Sequence, residues 1–196
     1  MFDNDDKIIW PIENTKINQG CLSPENLQCR MSTMPPCEPA GDGKPMEIKI
    51  GIGLDNIVFG IFQEDVINLL GEPDKISETE KVDGIVYYYN NQMIKIKFDL
   101  LENGKLYSFE VYNPKVTMFN REIINKEKNE ILDLLKLNGY CDTVQEDYEF
   151  FETVFCKEVW STFAFEFDRL TNIEFSPLSD TNDKTIWPME KELNEG

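Results

Sequence analysis

The chain contains no histidine, and only three of its 196 residues are arginine: Arg30, Arg121 and Arg169. Without histidine, the side chain that most often moves protons near neutral pH is missing, and with it the Ser-His, Cys-His and two-histidine metal arrangements. Catalysis by carboxylates alone stays open. Scarce arginine leaves a basic content that is nearly all lysine, so the surface is poor in bidentate forks for phosphate. Positive charge is short overall, with 19 Lys+Arg against 37 Asp+Glu and a formal net charge of -18. Such a chain repels nucleic acid and anionic membrane, because binding them requires cations that displace counterions. The natural macromolecular partner is basic, although negative charge also serves solubility alone.

Long apolar runs are missing as well, and no segment is suited to span a membrane. The opening Met1-Phe2-Asp3-Asn4-Asp5-Asp6-Lys7 has neither the positive n-region nor the apolar h-region of a secretory signal, so the expected location is the cytoplasm. CxxC pairs are absent, which argues against a zinc site and predicts no metal or cofactor. Cys21, Cys29 and Cys37 stand at equal spacing in a Pro-rich leader, whereas Cys141 and Cys156 lie further along. Free thiols are the simpler expectation for all five, with a disulfide inside the leader as the alternative.

A boundary falls near Lys44-Pro45. Before it, Pro24, Pro35, Pro36, Pro39, Gly41 and Gly43 occur without an apolar period, as expected of an extended arm over residues 1–45. Beyond it, one pattern occurs twice, over residues 46–116 and 117–178, before an acidic tail over 179–196. In the first copy Gln63 to Leu70 predicts a short helix with Val66, Leu69 and Leu70 on one face, stopped by Gly71 and Pro73. In the second, Lys126 to Leu137 follows a capping Asn125, carries Ile131, Leu134 and Leu135 on one face, and stops at Asn138-Gly139.

Strands follow each helix. Ile94, Ile96 and Phe98 alternate with Lys95, Lys97 and Asp99, and Phe163, Phe165 and Phe167 alternate with Ala164, Glu166 and Asp168. Phe98-Asp99 aligns with Phe167-Asp168. Leu106 to Val111 and Leu170 to Phe175 come next, with Phe109 and Ile173 inward and Glu110 and Glu174 outward. Ile85 to Tyr89 and Tyr148 to Phe155 supply earlier strands. The expected fold is α+β: a helix and an antiparallel β-meander, duplicated, with both helices packed on one face of the sheet. The aromatic stripes are expected to be core rather than a stacking platform for bases.

Gly51-Ile52-Gly53 begins like a dinucleotide fingerprint, but Asn56 stands at its later glycine position and no crossover to a parallel strand follows. It is read instead as a tight entry into Ile57-Val58-Phe59, ended by Gly60. Taken with Val66 and Leu70-Gly71-Glu72-Pro73, this segment resembles small immunity proteins of bacterial polymorphic-toxin and contact-dependent growth inhibition systems. Ile61-Phe62 departs from the Ser or Thr that would cap the first helix in that pattern. The phrase is also similar to outer-membrane assembly lipoproteins of small two-helix, three-strand form.

A second repeat joins the two ends. Asp6-Lys7-Ile8-Ile9-Trp10-Pro11-Ile12-Glu13 recurs as Asp183-Lys184-Thr185-Ile186-Trp187-Pro188-Met189-Glu190. Recombination between tandem related genes would leave such a mark, and arrays of related immunity genes are what the resemblance implies. The alternative is that each Trp-Pro segment is a docking arm whose tryptophan fills a groove on one half of the sheet.

The resemblance implies a cytoplasmic immunity protein, not an enzyme, that occludes the active site of a cognate basic, nuclease-like toxin domain. Acidic groups would speed that encounter by steering. The residues expected to meet the partner are Glu166, Asp168 and Glu174, pointing out from the second copy's strands, with the cluster Asp142, Glu146, Asp147 and Glu149. An acidic scaffold or chaperone-like interaction module is the alternative. A hydrolase using Asp99/Glu110 or Asp168/Glu174 as paired acids is the enzyme alternative, and it needs two carboxyl groups facing one concave pocket.

Overall fold

The structure, a computed structural model, describes residues 45–79, 84–182 and 184–188. The chain divides into two units, Met1–Ala40 and Gly41–Gly196, and every described residue lies in the second. The predicted arm, with Cys21, Cys29, Cys37 and Trp10-Pro11, falls outside the described residues, as does the end of the acidic tail.

The alternating segments form strands: β1 (Met46–Lys49), β2 (Gly53–Leu54), β3 (Ile57–Val58), β4 (Lys75–Thr79), β5 (Gly84–Tyr89), β6 (Ile94–Asp99) and β7 (Lys105–Val111). They continue with β8 (Val116–Met118), β9 (Arg121–Glu122), β10 (Thr143–Asp147), β11 (Glu152–Cys156), β12 (Ser161–Glu166) and β13 (Arg169–Phe175). Helices are α1 (Gln63–Leu70) and α2 (Lys128–Leu137). Two sheets result, one of eight strands in the order β10-β11-β12-β13-β7-β6-β5-β4 and one of five in the order β3-β2-β1-β8-β9.

This architecture overturns the expected α+β fold of duplicated helices packed on a sheet. The fold is mostly β, with helices of only 8 and 10 residues among the described residues. In α1 only Val66 is buried, and Leu69, expected on its inner face, is exposed. The core is built by the strands' period of two, which brings Ile94, Ile96, Phe98, Leu106, Phe109, Val111, Phe163, Phe165, Ile173 and Phe175 inward. Phe109 lies 5.3 Å from both Phe59 and Phe175, ring centre to ring centre. α2 starts at Lys128, two residues later than expected, because Leu170 holds Asn125 and Lys126 by exchanged backbone bonds of 2.8 and 2.9 Å.

The strand order of the large sheet is palindromic. β4-β5-β6-β7 and β10-β11-β12-β13 are both antiparallel meanders, and they meet where β7 pairs antiparallel with β13. Phe98 pairs with Leu106 and Phe165 with Leu170, each beside a register shift, so Phe98 corresponds to Phe165 rather than to Phe167. The expected alignment slipped because residues 100–104 join the first pair of strands, whereas Phe167-Asp168 alone joins the second.

Trp187 fills a groove in the first half. It is buried against Gly60, where an added Cβ would stand 3.0 Å from the ring, and the Lys105 ammonium lies 4.6 Å from the ring centre. Gly60 has φ +90, so the absence of a side chain there serves both the backbone and the tryptophan.

Candidate functional site

Antiparallel pairing decides which predicted acids meet. Asp147 pairs with Glu152, Glu152 with Phe165, and Glu166 with Arg169, so the β10–β11 and β12–β13 turns project from the same end of the large sheet. That end gathers Glu146, Asp147, Glu149, Glu166 and Asp168, all exposed. Two of the seven predicted acids lie elsewhere. Asp142 stands at the opposite end of β10, where its N–H and that of Cys141 donate to Glu158 at 2.9 and 2.7 Å.

Glu174 is a correction of another kind. It does point away from the core, but it is not a free acid: Lys97 Nζ lies 2.6 Å from its Oε1 and Ser108 Oγ donates to it at 3.0 Å. Glu174 sits beside Glu110 across the β7–β13 seam, and like charges so placed repel. Lysines from β6 neutralise the pair, with Lys95 at 3.2 Å and Lys97 at 3.9 Å from Glu110. Burial works against the charge of Lys95, yet its hydrogen bond to Tyr112 and the nearby Glu110 carboxylate outweigh this and raise its pKa. Burial and a hydrogen bond to Glu110 push the Tyr112 phenol up. The network holds the sheet together through compensated charge. It brings together neither expected acid pair, since Asp99 is aligned with Lys105 and Asp168 lies in the turn before β13.

The acidic end carries something the alternation of the sequence hid. Phe167 was expected inward, and it is 97% exposed. Phe167 and Asp168 have φ of 50° and 64°, both in the left-handed region, so they form the two-residue turn of a hairpin and leave the strand's alternation. Phe150 is 79% exposed in the neighbouring turn, and Tyr148, Phe151 and Val144 are exposed beside it. Tyr148 and Phe151 stack with ring centres 4.7 Å apart, while the Tyr148 hydroxyl donates to Glu146 at 2.6 Å. That bond, more than the Glu146 charge, raises the Tyr148 pKa. An available signal was the pair Phe150-Phe151 inside a run of acids, which no alternating strand would place in a core.

Two cations near this end are engaged. Lys128 pairs with Glu152, and this hydrogen bond is the main cause of its raised pKa. Arg169 reaches Glu127 at 3.4 Å. The arrangement offers negative charge interleaved with exposed aromatic rings. No group of His, Cys, Asp and Glu suited to a metal ion occurs among the described residues.

Comparison with protein-family models gives no match, and comparison with curated proteins gives none. Among solved structures, the chain is similar to an extracellular protein containing a SCP domain from Bacillus anthracis, at 16% identity and a TM-score of 0.40. The similarity covers 60% of this chain and 43% of that one, so it spans less than half of that protein.

Proposed function

We propose that this chain is an immunity protein that binds a basic toxin domain and blocks its active site, as the resemblance in its sequence implies. One observation carries the proposal: the end of the sheet where Glu146, Asp147, Glu149, Glu166 and Asp168 converge also exposes Phe150 and Phe167. Acids alone would serve solubility. Exposed aromatics among them supply what affinity needs, because rings desolvated at the centre of an interface dominate its energy while surrounding charges steer the approach. A basic cleft built for phosphate is attracted to this surface as to its substrate, and the bound protein then bars the substrate from the cleft.

Protection of cells expressing a cognate basic toxin domain is the direct test, with association kinetics measured on the purified pair. The expected result is a tight one-to-one complex whose association slows steeply as salt rises. Weak binding to several unrelated basic proteins, without protection, would instead favour a scaffold.

A further inference from the structure

The geometry points to β10 as a docking edge on which an extended, lysine-rich segment of a protein partner pairs main chain to main chain; this deepens the basic-partner function proposed above. β10 ends the order of the eight-stranded sheet, and all five of its residues are exposed. Its hydrogen-bonding phase follows from the two ends of the hairpin. Lys157 N–H donates to the Asp142 carbonyl at 3.2 Å, and Tyr148 N–H donates to the Phe151 carbonyl at 2.9 Å. In an antiparallel ladder such pairs alternate, so Val144 and Glu146 also bond toward β11, while Thr143, Gln145 and Asp147 turn their backbone groups outward. Thr143 N–H is taken by the Cys141 carbonyl at 3.1 Å. The N–H and C=O groups of Gln145 and Asp147 and the C=O of Thr143 therefore face the open edge.

Charge selects the occupant. Exposed edges invite pairing with any strand, and proteins restrain this with charged side chains. Here the exposed acids on and beside the edge are Glu146, Asp147 and Glu149, whereas Glu152 is paired with Lys128, and a second copy of the chain pairing there would bring like charge against like. They repel like copies and admit a basic strand. Val144, Glu146 and Tyr148 share one face, so an incoming strand finds apolar contacts on either side of a carboxylate. A segment that alternates lysine with an apolar residue fits both features.

Two peptides of equal charge separate this mode from attraction alone. One alternates lysine and valine; the other has the same sequence with alternate backbone nitrogens methylated, which removes the donors of one edge. The full chain at low salt is expected to bind the first at least about tenfold more tightly, and to slow exchange of the Gln145 and Asp147 amides by roughly tenfold or more. Gln145→Pro removes an outward N–H, a change that edge strands tolerate, together with the exposed side-chain bonds of Gln145 to Asp147 and Glu152 at 3.3 and 3.2 Å, and is expected to narrow the difference between the peptides with little change in the melting curve. If Gln145→Pro does not fold, the peptide pair on the natural chain still decides. Equal binding of the two peptides overturns main-chain pairing and leaves the basic-partner function standing. Failure of the lysine-valine peptide to bind at all also overturns the docking edge, while protection against the toxin domain decides the basic-partner function separately.

Discussion

Phe167 is a large apolar residue held in a left-handed backbone conformation and almost wholly in water, two costs that no contact within the described residues repays. Asparagine accepts that conformation with less strain. Phe167→Asn is therefore expected to raise stability by about 0.5 to 1 kcal/mol in denaturant unfolding while weakening partner binding. A loss of stability would show that the ring is held by contacts within the fold. Tyr89 gives a second test at this scale. It is 2% exposed, donates its hydroxyl to the Gly71 carbonyl at 3.0 Å, and has its pKa pushed up to about 12, chiefly by burial. Its folded pKa lies above the unfolded value near 10.0, so the native state holds the proton more tightly. Stability from this source is complete below pH 10 and is lost as pH rises toward 12. Alkaline unfolding in that window, shifted to higher pH in Tyr89→Phe, is the expected outcome. The inward stripe from Ile94 to Phe98 was legible because alternation needs only neighbours. Phe167 was not, because alternation cannot register where a two-residue turn interrupts it.

Elements show the same division between local and distant information. α1 could be read from its apolar spacing and from Gly71; its Asp65 accepts the Phe62 N–H at 3.0 Å, the reciprocal half of a capping box, while no Ser or Thr side chain caps the first turn and the Asp65 N–H turns back to the Phe62 carbonyl at 3.1 Å. What could not be read was that helices would be minor, since the burial of a helix face is set by strands far along the chain. Glu174 has the same history: its partner Lys97 lies on another strand of the sheet, 77 residues away. Glu174→Lys is expected to cost on the order of 1 kcal/mol, because it sets two cations side by side in a partly solvated place. Glu166→Lys is expected to leave the melting curve nearly unchanged, Asp168→Lys to lower it slightly because its φ of 64° suits Asp better than Lys, and both to slow partner association, which assigns these acids to the encounter and Glu174 to the fold. The seat of Trp187 is a further element-scale feature. Trp187→Ala is expected to cost about 3 kcal/mol, and Gly60→Ala to destabilise as well through its φ of +90 and the ring against it. Urea unfolding of the two variants checks both.

At the scale of the whole molecule, a net charge of -18 makes the folded chain repel itself. Raising salt to about 0.5 M is expected to lift the melting temperature while slowing association with a basic partner, since screening acts on both fields. Of the candidate surface, the acids could be counted in the sequence, but only strand pairing could show which five share an end. The seam between β7 and β13 has a consequence of its own during synthesis. β7 lies near the middle of the sheet and pairs with a strand that follows roughly 60 residues later, Val111 with Ile173 and Phe109 with Phe175. At ribosomal speeds of roughly 5 to 20 residues per second, the first meander waits roughly 3 to 12 seconds with that flank uncapped. A strand fated for the interior thus spends its first moments as a bare border, and a nascent chain stalled before residue 169 would carry that border openly to any chaperone or neighbouring polypeptide able to pair with it.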